Sequence, residues 1–316
     1  MHIVLLAPDL RGKSGWSRAA LDLAHGLQER GHRVTAIVAE SSQSGIEEYV
    51  GLWPATKLLS NPLVCIWNAW KLRPLLATLK PDILHAIAEP YAMVLGLLPT
   101  SNATTFVTVH GSYAAIPFHG NALTRMLMTR ALARIDRIIT VSHFTKGYLL
   151  DHAGPFVGRE VLESKIHVIP NAIDLHRFPH ELSQNGPHTP PHILSVGAIK
   201  PRKGLLQAIE TCAILRQEGM SFHYDIVGSL DELPPYVADL RKMIEQNGLS
   251  SHVTLHGVVS EEDLQKIFAR SDVFLMPSRH GGLHVEGFGI VFLEANAWGL
   301  PVVGPNTGGC PEVIRD

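Results

Sequence analysis

Short, almost unbroken apolar runs return along this chain at helix-length intervals, and they constrain its fold more than any other feature. Residues 2–7, 34–39, 82–88, 105–109, 135–141 and 166–170 form a first series; residues 193–197, 224–227, 253–255, 273–277 and 301–304 form a second. A strand apolar along its whole length is covered on both faces, as in a parallel sheet. Parallel neighbours need a crossover of a dozen or more residues, usually a helix. Between the first two runs, residues 16–30 set Leu21, Leu23, Ala24 and Leu27 on one side, and Gly31 follows as a stop. The expectation is an α/β protein, and 316 residues are enough for two domains.

Composition narrows the class further. Hydrophobic residues make up 46% and charged residues 18%, as in a globular chain. A formal net charge of -2 gives no global case for a nucleic-acid partner. Cys65, Cys212 and Cys310 are scattered and odd in number, which argues against a disulfide framework and suits a reducing cytosol. The opening MHIVLLAP lacks a basic leader and reads as a buried first strand. The longest apolar candidate, residues 91–99, is about half of the roughly 18 residues a spanning helix needs. Residues 61–80 set Trp67 and Trp70 beside Lys71, Arg73 and Lys80. Such a stretch suits a membrane surface or, with Pro74 interrupting the helix, an apolar stripe facing a core.

The chemistry concentrates in residues 280–301, HGGLHVEGFGIVFLEANAWGLP. Glu286 sits in a glycine-rich loop with Gly287, Phe288 and Gly289. A helix is expected from Ile290 to Trp298, closed by Gly299 and Pro301, with Glu294 about two turns in. Its free N–H groups would favour phosphate. A carboxylate on each side of an anion site suits a diphosphate flanked by hydroxyl-bearing sugars, as in a nucleotide-sugar. The plainer reading is a glycine loop feeding an ordinary helix with both glutamates solvated. His280 and His284 are four apart, but the glycines between them disfavour a helix, and no metal site is expected.

EGFGIVFLEANAWGLPVVGPNTGG resembles the E-x7-E signature of the retaining glycosyltransferases of family 4, and the similarity runs along nearly the whole chain. It implies the GT-B fold: two Rossmann-like parallel-sheet domains facing a cleft. Residues 1–178 would form the acceptor side, 179–191 a Pro/Gly-rich linker, and 192–316 the nucleotide-sugar side, with its C-terminus expected to be truncated. By resemblance, Glu286 contacts the donor sugar, Gly287 to Gly289 hold sugar and phosphate, and Glu294 holds the ribose. GWSR resembles the family's glycine loop and points to Gly15 and Trp16 against acceptor and phosphates. TVHG puts His110 near the sugar. VSHFTKGYL and PNAIDLHRF resemble the interdomain and crossover segments. AIKPRKG places Lys203 on the donor diphosphate. The family's arginine position holds Ala198, which leaves Arg202 or Lys200 to supply that charge. Gly257 and Val258, after a strand, would line the nucleotide pocket.

The expected function is therefore a retaining glycosyltransferase that moves a hexose, mannose or glucose, from a UDP- or GDP-linked donor to a hydroxyl of a glycan or lipid-linked glycan. The wording GGLHVEGFGIVFLEA is most similar to bacterial mannosyltransferases of the phosphatidylinositol mannoside type. No cofactor and no metal is implied, nor a nucleic-acid partner; a cytoplasmic location, with peripheral contact at the inner face of the membrane, is. Two rival expectations are a catalytically silent nucleotide-sugar-binding subunit, which Ala198 motivates, and a non-hydrolysing GT-B epimerase. A nicotinamide oxidoreductase is disfavoured, because no G-x-G-x-x-G follows the first strand.

Overall fold

A computed structural model describes residues 1–99, 102–178 and 188–314. The chain divides into two compact units, Met1–Ala172 and Ile173–Asp316. Residues 179–187, most of the expected linker, lie outside the described residues.

In the first unit the order is β1 (His2–Ala7), α1 (Gly15–Glu29), β2 (Arg33–Val38), β3 (Glu47–Val50), α2 (Ala55–Ser60), α3 (Leu63–Leu79), β4 (Ile83–Ala86) and α4 (Glu89–Leu95). Then come β5 (Thr104–Val109), α5 (Ile116–His119), α6 (Ala122–Arg134), β6 (Arg137–Thr140), α7 (His143–Val157), α8 (Arg159–Glu163) and β7 (Ile166–Val168). The strands form one seven-stranded sheet, β3-β2-β1-β4-β5-β6-β7, with every pair parallel. Strand β1 shows why the apolar runs are continuous. Val4 and Leu6 enter one core, with Leu84 and Val107, while Ile3, Leu5 and Ala7 enter the other, with Ala20 and Ala24 of α1. Each buried leucine or isoleucine contributes about 1.5–3 kcal/mol, so losing either cover would unmake the sheet.

The second unit repeats the plan with β8 (His192–Val196), α9 (Leu205–Gln217), β9 (His223–Val227), α10 (Pro234–Gln246), β10 (Val253–Gly257), α11 (Glu261–Ala269), β11 (Val273–Leu275), α12 (Ile290–Ala297) and β12 (Val302–Val303). Its parallel sheet runs β10-β9-β8-β11-β12.

Each sheet changes winding direction once, between β1 and β4 in the first and between β8 and β11 in the second. Ligands of open α/β sheets bind at such points, outside the carboxyl ends of the strands.

One local expectation fails. Pro74 does not interrupt α3, which runs through it. Proline removes the donor that the Trp70 carbonyl would receive, but Trp70 stands on the exposed side. Nor does the tryptophan stripe face a core: Trp67 and Trp70 are 45% and 66% exposed.

Candidate active site

In the second unit the switch point is built by two loops. The chain leaves β8 through Gly197, makes a single 3-10 turn at Pro201–Lys203, and enters α9 through Gly204. A Cβ on Gly204 would stand 2.0 Å from the Pro277 carbonyl oxygen. Glycine therefore lets this loop lie against the one leaving β11, and Arg202 and Lys203 reach Glu286. Lys203 Nζ donates to Glu286 Oε2 at 2.5 Å, and Arg202 Nη1 donates to the same oxygen at 2.9 Å. Burial pushes the Glu286 carboxyl up, but the charges of Lys203 and then Arg202, with their hydrogen bonds, outweigh it and hold the carboxyl below its usual range. The cluster of two cations and one anion retains a positive excess.

Lys200 turns elsewhere, pairing with Glu232 at 2.7 Å on the surface. Arg202 is thus the second cation at Glu286. The backbone of Glu286 is held as well. Its carbonyl accepts from Gly309 N–H at 3.0 Å, and its N–H donates to His280 Nε2 at 3.4 Å. A Cβ on Gly309 would meet the Gly287 carbonyl oxygen at 1.9 Å, so the NTGG turn closes on residues 286–287 only as glycine.

Beyond Glu286, Gly287 to Gly289 lead into α12. Phe288 is buried and offers its backbone alone. Glu294 is the fifth residue of α12, just over one turn in at 3.6 residues per turn, short of the two turns expected. Its Oε1 lies 3.6 Å from Arg177 Nη1, and Arg177 Nη2 pairs with Glu261 at 2.5 Å. Gly257 and Val258 stand at the carboxyl end of the edge strand β10, two strands from β8. Gly281 and His284 pair across a turn, each N–H donating to the other's carbonyl. Among the described residues no group of three or more His, Cys, Asp or Glu side chains is placed to hold a metal ion.

In the first unit, Ser14 caps α1 by accepting from Ser17 N–H, and Ser17 Oγ donates to Asp9 at 2.5 Å. This fixes the loop after β1. A Cβ at Gly15 would meet nothing within 4 Å, so the space beside the helix start is open. The Trp16 ring lies 4.9 Å from that of Tyr113 and 6.5 Å from that of His110, so two of the expected residues, Trp16 and His110, lie close together, joined by Tyr113, which was not expected. His110 Nε2 donates to the Ile87 carbonyl at 2.8 Å; a carbonyl can only accept, so Nδ1 carries the ring's lone pair. Burial lowers the His110 pKa to about 4, against the raising effect of that hydrogen bond. The ring is neutral at physiological pH.

Sequence reasoning missed Glu89. This buried carboxylate accepts at Oε1 from His110 N–H at 2.8 Å and Gly111 N–H at 3.0 Å. Burial raises its pKa to about 7, opposed by the N–H groups of Glu89, Gly111 and His110. Arg177 and His280 were missed as partners of the two expected glutamates. PNAIDLHRF did carry Arg177, but only as a crossover segment.

Comparison with known proteins follows these sites. Residues 13–177 match the family model described as Glycosyltransferase Family 4, and residues 179–316 match Glycosyl transferases group 1. The chain belongs to glycosyltransferase family 4. It is similar to a GDP-mannose-dependent alpha-(1-6)-phosphatidylinositol monomannoside mannosyltransferase of Mycobacterium tuberculosis, 28% identical over 83% of this chain and 66% of that protein. The amylovoran biosynthesis glycosyltransferase AmsK of Erwinia amylovora is 36% identical over 75% of this chain and 59% of its own length. The chain thus spans under two thirds of both. A glycosyltransferase structure from Rickettsia africae superposes with a TM-score of 0.74 at 21% identity, covering 100% of this chain and 82% of that one. The shared fold is GT-B.

Proposed function

We propose that this protein transfers a hexosyl group from a nucleotide-sugar to an acceptor hydroxyl with retention of anomeric configuration. The observation that carries the reading is the partly buried Glu286 held by Lys203 and Arg202 at the switch point of the second sheet. In the reaction the bond from the anomeric carbon to the diphosphate oxygen breaks, and a bond to the acceptor oxygen forms. The acceptor proton passes to the departing phosphate, on the same face of the sugar. Cations placed at that phosphate stabilise the charge as it develops. Glu286 orients the sugar hydroxyls, Gly287 to Gly289 present backbone N–H groups, and Glu294 takes the ribose. Gly257 and Val258 border the base. In the first unit His110 serves the sugar, and Gly15 and Trp16 serve the acceptor side.

GDP-mannose is the first donor to test, because the mycobacterial relative is named for it. Mass spectrometry of product formed from GDP-mannose, or from UDP- and GDP-linked hexoses in turn, checks the reading. No transfer and no donor hydrolysis across the panel would instead support the silent subunit, for which Ala198 is the motivating residue. Isomerised sugar without acceptor would support the epimerase.

We also place the protein at the inner face of the membrane by peripheral contact. No described helix is long and apolar enough to cross a membrane. Helices α2, α3 and α6 carry Lys57, Lys71, Arg73, Arg125, Arg130 and Arg134 and no acidic residue. Leu63, Ile66, Trp67 and Trp70 of α3 and Met126 of α6 are exposed. An open groove of about 660 Å³ runs past Ile66, Arg125, Met126, Arg130 and Phe156. Apolar and aromatic side chains among the cations of these three helices fit an anionic lipid surface. Cosedimentation with phosphatidylglycerol vesicles but not phosphatidylcholine vesicles is the expected result; equal recovery with both, or with neither, would remove the contact.

A further inference from the structure

Glu89 opens α4, immediately after β4, at the switch point of the first sheet. It is 2% exposed. Its Oε1 collects two successive backbone donors, His110 N–H and Gly111 N–H. Its Oε2 has no hydrogen-bond partner among the described residues. Beside it lies a cavity of about 10 Å³ whose other walls include Val107, Val109, Tyr113 and Ala114.

This is an expensive arrangement for a turn that stability alone could satisfy with a smaller, neutral group. A buried carboxyl with one oxygen unpaired loses the hydration of that oxygen without a hydrogen bond in return. What it secures is direction. The peptide joining His110 to Gly111 is planar and trans, so its N–H and C=O point opposite ways. With Gly111 N–H drawn onto the buried acid, the His110 carbonyl is turned away from it. Gly111 has φ 150° and ψ −109°, a conformation open to glycine. The stretch that supplies Glu89 also supplies the Ile87 carbonyl, which holds the His110 ring through Nε2. Two residues of one loop therefore fix both the backbone and the imidazole of His110.

We propose that Glu89 is a positioning residue for sugar transfer: its carboxyl clamps the His110–Gly111 peptide and so aims the His110 carbonyl and imidazole at the reacting sugar. The proposal rests on the transfer reading above. It assigns Glu89 no contact with substrate. Its effect appears in turnover rather than in donor binding, because the donor's phosphate clamp belongs to the other unit.

The test uses the full chain and three substitutions, with transfer kinetics and amide hydrogen exchange of residues 110–111 measured on each. Glu89→Ala removes the acceptor. Glu89→Asp keeps the charge but withdraws it by one methylene, and serves if the alanine variant does not fold. Glu89→Gln keeps a carbonyl oxygen for both N–H groups. The expected result is faster exchange at 110–111 in the alanine and aspartate variants, with kcat down on the order of 100-fold and donor KM unchanged. Glutamine should restore the protection and most of kcat. Wild-type kcat in a variant whose 110–111 amides exchange freely would overturn the proposal. So would a glutamine variant as slow as alanine with its amides protected, since the charge would then act directly. If the wild type transfers no sugar, the function fails and takes this role with it, while the exchange data still decide whether the clamp exists.

Discussion

Glu89 and Glu286 are the same side chain, fully buried at 2% exposure in the first unit and partly buried at 14% in the second, and the two units treat them oppositely. Glu286 is held by two cations, which keep its carboxyl below the usual range despite burial. Glu89 is held by backbone N–H groups alone, and burial wins, raising its pKa to about 7. At Glu286 the neighbouring cations outweigh burial, whereas at Glu89 the N–H dipoles do not. The first arrangement suits a group that must stay charged beside a diphosphate. The second suits a group that holds a backbone.

The sharpest way to break this comparison is at Glu286. Glu286→Ala should lower kcat by at least about 100- to 1,000-fold, with the fold retained by circular dichroism; unchanged turnover would reject its role. Next, Lys203→Ala should lose on the order of 100-fold in kcat/KM. Arg202→Ala should lose less, because its side chain is 34% exposed against 10% for Lys203. In the first unit, the Arg125→Ala/Arg130→Ala pair should weaken binding to phosphatidylglycerol vesicles roughly 30-fold, at about 1 kcal/mol per cation, and leave kcat on a soluble acceptor alone.

Stability against pH separates the two glutamates without any substrate. The lowered pKa of Glu286 gives stability that is present above about 4.5, its unfolded value, and lost as pH falls through the folded one. Glu89 has the opposite sign. Its contribution is full below about 4.5 and disappears as pH rises through about 7, an effect of roughly 3 kcal/mol. His85 and His110, lowered to about 3 and about 4 by burial, cost stability as pH falls below 6.5. Glu89→Gln removes one limb only. Urea unfolding should then show stability rising more steeply between pH 4.5 and 6.5 than in the wild type. The smallest effect is expected at Lys200→Ala, which breaks an exposed pair worth under about 1 kcal/mol and should leave transfer unchanged.

What was legible in the chain follows the same division. The continuous apolar strands announced two parallel sheets, because a strand covered on both faces has little room for polar residues. Strand β3, EEYV, escaped notice: as the edge of its sheet it is partly exposed, and its residues alternate too little. Helix α3 runs through Pro74, and Trp70, whose carbonyl loses its donor, stands on the exposed side, a circumstance that only three-dimensional placement reveals. Glu286 and Lys203 stand in a recognisable motif, so their partnership could be anticipated. The choice of Arg202 over Lys200 depends on which way a single 3-10 turn aims consecutive side chains. Glu89 carried no signal, being one acid in HAIAEPYAM whose partners are backbone atoms more than twenty residues away.

Donor binding tests the central claim most directly, that Lys203 and Arg202 grip the diphosphate of an activated sugar while Glu286 orients its hydroxyls. Thermal unfolding with GDP-mannose, and with UDP- and GDP-linked hexoses in its place, reads that grip without needing an acceptor. The wild type should be stabilised by about 2.7 kcal/mol at a hundred times Kd, and Lys203→Ala should lose most of that gain. A wild type indifferent to every donor, or a Lys203→Ala variant protected as well as the wild type, would contradict the account.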